Sequence, residues 1–167
     1  PVVEEALEKL YAHEVENAEY PGDDESLSAL AEAQAQGIVE QADGKYRFTP
    51  AGLPSGREVV RRHRLAERLL VDVLDVNAEE LEGDACEFEH ILRPGLEERV
   101  CALLGHPASC PHGKPIPEGD CCRRAHADDI REVSPLCDGR PGAEGIVAYL
   151  STRDNREVQK MMAMGIL

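Results

Sequence analysis

The sequence predicts a mainly α protein with a small β component that opens as a reduced winged helix, and three observations predict it. Apolar residues recur at a helical period in segment after segment. One strong two-residue hairpin signal, Asp43-Gly44, interrupts them. The order helix, helix, hairpin, long helix at the start of the chain is that of a winged helix with the hairpin as its wing. The interval before the hairpin is short for a full helix-turn-helix, so one helix is expected to be shrunken or absent.

Residues 2–16 carry an apolar stripe of Val3, Ala6, Leu7, Leu10 and Tyr11. A loop follows over 17–24, with Asp24 as the expected N-cap of a second helix. That helix, ESLSALAEAQAQ, ends with Gly37 in the C′ position. Ile38, Val39, Tyr46 and Phe48 flank the Asp-Gly turn and suit strands, and Pro50 stops the hairpin. A long helix over 55–74 puts Val59, His63, Ala66, Leu70 and Val73 on one face and Arg57, Arg61, Arg64 and Arg68 on another. Asn77 followed by Glu80 is a capping-box-like start for a helix through 92, and Pro94 opens the next one, GLEERVCALLG. Leu96, Val100, Leu103 and Leu104 make that segment apolar enough to expect a two-fold interface across 77–104. Residues 105–127 read as loop. From Asp129 onward, IREVSPLC and GRPGAEGIVAYLS read as short strands and DNREVQKMMAMGIL as a short helix.

The chain has 167 residues with 18 Lys and Arg against 33 Asp and Glu, a net charge of -15. Non-specific nucleic-acid affinity comes from neutralising phosphates, so the bulk charge argues against it. Five of the cations nevertheless fall within 57–68: Arg57, Arg61, Arg62, Arg64 and Arg68. These either face phosphate or pair with the acidic N-terminal helices. No apolar run is long enough to span a membrane, and the acidic N-terminus is unlike a secretory leader. The six cysteines are therefore expected to be reduced thiols or metal ligands in a cytoplasmic protein.

Two stretches place metal-binding side chains one helical turn apart. His63 and Glu67 are the first pair; Cys86, Glu89 and His90 are the second set. Thiolate, imidazole and carboxylate together suit a late first-row divalent ion better than calcium or magnesium. Each set needs further ligands from elsewhere in the fold. Cys110, His112, Cys121 and Cys122 form a second, zinc-like set; neighbouring cysteines rarely both reach one tetrahedral ion, so one of Cys121 and Cys122 is expected to serve, with Cys101 as a candidate partner, and a reduced thiol loop is the competing reading. No nucleophile–base pair, phosphate loop or dinucleotide fingerprint is visible, so neither an enzyme nor a small-molecule substrate is expected.

The run RRHRLAERLL, followed by ACxxEH and CPHGxPIP, resembles the diphtheria-toxin-repressor family of metal-dependent transcriptional regulators. The resemblance implies a winged-helix domain over 1–54, a helical metal-binding and dimerisation domain over 55–127, and over 128–167 part of an SH3-like segment of the ferrous-iron-transport protein A type. It implies a regulatory site of Cys86, Glu89 and His90 with Glu5 or Glu8, and an ancillary site of His63, Glu67 and Glu82, with Asp154 and Glu157 as contributions from the SH3-like segment. It further implies a DNA-binding homodimer loaded with iron or manganese. Cys86 in place of a carboxylate leans towards Fe(II), with Mn(II), Zn(II), Co(II) or Ni(II) able to substitute. Residues 1–50 hold twelve acidic residues and only Lys9, Lys45 and Arg47 as cations. That imbalance sets the alternative, a metal-binding dimer of the same ancestry that has lost DNA binding and acts through protein contacts.

Overall fold

A computed structural model describes residues 2–77, 81–93, 95–127, 136–142, 144–147, 149 and 155–165, the side chains of 82, 126, 127, 138 and 155 excepted. Its helices and strands follow in the order α1 (Val2–Glu16), α2 (Asp24–Ala35), β1 (Val39–Ala42), β2 (Lys45–Phe48), α3 (Leu53–Asp72), α4 (Leu81–Glu89), α5 (Leu96–Leu103), α6 (Asp120–Ala127) and α7 (Asn155–Ala163).

The first core is built by α1, α2 and the hairpin. Ala6, Leu7 and Leu10 pack with Ala29, Leu30, Ala33, Val39 and Phe48, so the stripe read from the sequence is the buried face. The N-cap of α2 is Asp23 rather than Asp24: its carboxylate accepts the Ser26 N–H at 2.8 Å and the Ser26 hydroxyl at 2.7 Å. Gly37 then ends the helix at φ +74°. The hairpin pairs Val39 with Phe48 and Ala42 with Lys45. Asp43 and Gly44 both take positive φ, 52° and 76°, the backbone of a two-residue turn whose twist matches the strands. No helix other than α1 and α2 precedes the wing among the described residues, which is the reduction the sequence implied. The Glu14 carboxylate, accepting the Phe48 N–H at 2.9 Å, ties the wing to α1.

α3 is the spine. Two glycines bring its start against the hairpin. A Cβ at Gly52 would lie 1.9 Å from the Ile38 carbonyl oxygen, and one at Gly56 would lie 2.3 Å from the Phe48 ring. The first is backbone and has no rotamer to give, so Gly52→Ala is expected to destabilise the protein by about 1–3 kcal/mol, the range for overpacking. Urea unfolding reads it; an unchanged midpoint contradicts the packing described.

The C-terminal half of α3 enters a second core. Leu65, Ala66 and Leu70 pack there with Leu81 and Ala85 of α4, Val100 and Cys101 of α5, and Ile116, Cys121 and Cys122. Val100 and Leu104, expected in a two-fold interface, are spent in this core, whereas Leu96 and Leu103 remain exposed on α5.

The later chain departs from the sequence reading in two places. Residues expected to be loop contain α6, which buries Cys121, Cys122 and Ala125. Its apolar face is made of thiols and one methyl, so it reads as a ligand cluster rather than as a helix. In the expected SH3-like stretch the described residues carry a 3-10 turn at Leu136–Asp138 and no strand. Ile146 is 98% exposed and Leu136 92%, so neither supplies the packed face that a short strand pair needs. Residues 128–135, 143, 148 and 150–154 of that stretch lie outside the described residues. The expected terminal helix is present as α7.

Candidate metal centre

Three helices converge on one carboxylate. α4 ends at Glu89, which is 1% exposed. The Glu89 Oε2 lies 2.9 Å from His63 Nδ1 on α3. The same His63 nitrogen lies 3.6 Å from the Glu8 carboxylate on α1, and His63 Nε2 lies 3.7 Å from Glu67. The other Glu89 oxygen, Oε1, is buried and has no hydrogen-bond partner.

Glu89 belongs to two groups of donor atoms. Cys86, Glu89 and His90 bring one ligand atom each to within 4.8 Å of one another, and Glu8, His63 and Glu89 do the same. The spacing of Cys86, Glu89 and His90 in the sequence thus does converge on one face. The first helix reaches both groups, one through the expected Glu8 and the other through Glu4 in place of Glu5. Glu8 joins the His63 group. His90 Nδ1 meets Glu4 at 2.6 Å, while Glu5 is half-exposed and bound to Lys9 at 2.9 Å. One step along a helix is a rotation of about 100°, enough to send Glu5 to solvent and Glu4 inward.

An orphaned carboxylate oxygen at such burial is costly unless a partner offsets it. A divalent transition metal is the partner that thiol, carboxylate and imidazole donors would share. The residues present therefore fit such an ion, with Cys86, Glu89 and His90 as its holders and Glu4 or Glu8 completing them.

The remaining expected ligands fall elsewhere. Glu67 is shared, its Oε1 lying 2.7 Å from His112 Nδ1, and it groups with Cys110 and His112. Cys110 and His112 are thereby separated from Cys121 and Cys122, which group with Cys101 and His106. The zinc-like set read from the sequence is in fact two sets, because the CPHG turn points its Cys and His back at α3. The Glu82 side chain and Asp154 lie outside the described residues. Glu157 sits exposed on α7, in none of the metal-competent groups found among the described residues.

The charges around His63 set a pH response for the metal-free protein. Burial pushes the Glu8 carboxyl up to about 7, against the pull of His63, with Glu89 and Glu67 adding to the rise. Burial opposes a charge on His63, but the flanking Glu67 and Glu89 carboxylates and nearby Glu8 outweigh it and raise its pKa to about 10. Both folded values exceed the unfolded ones, so the folded state holds protons more tightly. The Glu8 contribution is complete below 4.5 and lost as pH rises through about 7. That of His63 is complete below 6.5 and lost through about 10. Melting temperatures of chelator-treated protein are expected to fall across this span, with His63→Gln flattening the upper part. A melting temperature that climbs from neutral to alkaline pH contradicts the arrangement.

Most of the arginine stripe is spent inside the molecule. Arg62 pairs with Glu4. Arg64, 2% exposed, forks onto Glu16 at 2.6 and 2.8 Å and donates to the Pro115 carbonyl at 2.6 Å. Arg57 donates to the Glu118 carbonyl at 2.9 Å and Arg61 to the Pro117 carbonyl at 2.6 Å. Arg68 pairs with Asp72. Arg62 and Arg64 thus take the expected pairing with α1, Arg61 and Arg68 pair with Glu97 and Asp72 elsewhere in the fold, and Arg57 stays exposed.

Comparison with known proteins places this geometry. Residues 49–118 match the family model described as iron dependent repressor, metal binding and dimerisation domain. The chain is 35% identical over 115 residues to the iron-dependent repressor IdeR of Mycobacterium leprae, and 34% identical over 115 residues to the diphtheria toxin repressor of Corynebacterium diphtheriae. Each match takes in 68% of this chain and 50% of the relative, so the chain spans about half the length of the curated relatives it matches. A manganese-dependent transcriptional repressor solved in complex with manganese superposes with a TM-score of 0.60 at 27% identity, over 98% of this chain and 78% of that one. By these matches the chain belongs to the diphtheria-toxin-repressor family.

Proposed function

We propose that this chain is a metal-dependent transcriptional regulator that works as a homodimer in the cytoplasm, with Fe(II) or Mn(II) as its ion. The observation that carries the reading is the shared carboxylate. Glu89 on α4 meets His63 on α3 and, beside it, Glu8 on α1, while Glu4 on α1 meets His90. A divalent ion would add to the positive charge that Arg62 and His63 bring to this cluster of carboxylates. Glu4 and Glu8 would then hold α1, and with it the winged segment, in one orientation against α4. Metal occupancy biases DNA affinity to the extent that it favours that orientation over others. The names of the relatives support iron and manganese, and the family model's description supports a dimer. The exposed Leu96 and Leu103, seven apart on α5, are the residues offered for its interface.

The DNA contact must be made with few cations. α2 carries none, and the only ones in residues 1–50 are Lys9, Lys45 and Arg47, of which Lys9 and Arg47 already pair with carboxylates. The test is fluorescence anisotropy on promoter fragments, with Mn(II) or anaerobic Fe(II) and with chelator. A metal-dependent complex is expected that His90→Ala abolishes. Three cations per protomer limit its log–log salt slope to about −5 for a dimer. Metal binding without a complex on any fragment overturns the proposal in favour of action through protein contacts, which the paired arginines would permit.

A further inference from the structure

We propose that Cys101, His106, Cys121 and Cys122 form a separate structural zinc site, of Cys3His type, that fastens α5 to α6. One ligand atom from each lies within 4.8 Å of all the others. The individual separations are those that an ion would impose. Zinc–sulfur bonds of about 2.3 Å and zinc–nitrogen bonds of about 2.0–2.1 Å, arranged tetrahedrally, put sulfurs ~3.8 Å apart and sulfur and nitrogen ~3.6 Å apart. Cys101 Sγ lies 3.6 Å from Cys122 Sγ, Cys121 Sγ lies 3.9 Å from Cys122 Sγ, and His106 Nδ1 lies 3.4 Å from Cys101 Sγ. The adjacent cysteines, an unpromising pair in sequence, both face inward because they open α6.

Local structure delivers each ligand. α5 ends in two consecutive left-handed residues, Gly105 at φ +74° and His106 at φ +57°. The turn is closed by the His106 N–H donating to the Cys101 carbonyl at 2.8 Å, which folds the imidazole back over the Cys101 thiol. A non-glycine residue in that region is uncommon. Cys101, Cys121 and Cys122 are all buried.

Charge completes the case. Three thiolates, a neutral imidazole and Zn(II) sum to one negative charge. Arg61, 3% exposed, brings a positive charge against it, shared with the Glu97 carboxylate, with Nη2 at 3.2 Å from Cys121 Sγ. An N–H donated to a coordinating sulfur is the outer-sphere contact that thiolate sites use. Gly119 leaves room for it, since a Cβ there would lie 2.9 Å from the guanidinium. The site shares no residue with the Glu89 centre, so it stands whether or not the regulator reading does.

The test uses the full chain carrying Cys86→Ser, which removes the thiol of the Glu89 centre, purified with reductant and dialysed against chelator. About one equivalent of zinc per chain is expected to remain. Replacing it with Co(II) is expected to give the intense visible bands of tetrahedral cobalt–thiolate. Adding Glu89→Gln should leave both unchanged. Adding Cys121→Ser should abolish zinc retention, and His106→Ala, at a less buried position, should weaken retention and shift the cobalt bands in a protein that still folds. Absence of retained zinc and of cobalt–thiolate bands overturns the proposal. So does a Cys101–Cys122 disulfide in the reductant-purified protein, or zinc retention indifferent to both added substitutions.

Discussion

Glu89→Gln is expected to lower the affinity of the protein for Mn(II) by at least about 100-fold. Altering a residue that only orients a metal ligand already costs 10–100-fold in many sites, and Glu89 is placed as a donor itself. It belongs to both ligand groups that reach α1, and one of its oxygens is buried without a partner. The amide is of the same size, so it can keep the contact with His63 while losing the charge. Isothermal titration of chelator-treated protein reads the effect. Glu5→Gln serves as the contrast and should change affinity less than Glu4→Gln, because Glu5 points to Lys9 and solvent. Near-native affinity in Glu89→Gln would refute the assignment of the centre.

Arg64→Ala is expected to destabilise the protein by about 3–5 kcal/mol, the cost of removing one partner from a buried charge pair. Arg64 joins three parts of the molecule: its own helix α3, Glu16 at the end of α1, and the Pro115 carbonyl beyond the CPHG turn. Truncation leaves a carboxylate that is only 16% exposed and a carbonyl oxygen without their donor. Arg64→Lys should recover only part of the loss, since an ammonium cannot fork across a carboxylate. Urea denaturation at neutral pH measures both. A loss under about 1 kcal/mol would class the pair with exposed ion pairs and remove it as a link between the two cores.

How far these features were legible in the sequence depends on their range. α1, α3 and the hairpin could be read because their signals are local: a helical apolar period, and an Asp-Gly pair whose positive φ values only one kind of turn uses. Cys86, Glu89 and His90 were legible for the same reason, lying within one turn and a half of one helix. Glu4 was not, because which acid of an acidic helix turns inward depends on how α1 packs on α3 and α4. A sequence offers five glutamates on α1 and no way to rank their azimuths against a distant histidine. The cysteines behaved likewise. Their ligand character was visible, but Cys110 and Cys121 part company only because the CPHG turn meets α3 at Glu67 and α6 meets it at Arg61. α6 itself was hidden by its composition, since a helix whose buried face is two cysteines and an alanine lacks the large aliphatics that mark a period. The Arg57–Arg68 stripe was visible as charge, and its use inside the fold was one of two readings until its partners were known.

Hydrogen exchange of the α1 amides, measured with and without saturating Mn(II), tests most directly whether metal occupancy holds the winged segment through α1. Exchange across Val2–Glu16 is expected to slow on metal loading, and the slowing should disappear in Glu89→Gln at the same metal concentration. The hairpin amides of 39–48 should follow α1, since Glu14 and Tyr20 tie the wing to that end of the chain. Metal binding confirmed by titration, together with α1 exchange that does not change, would contradict the account.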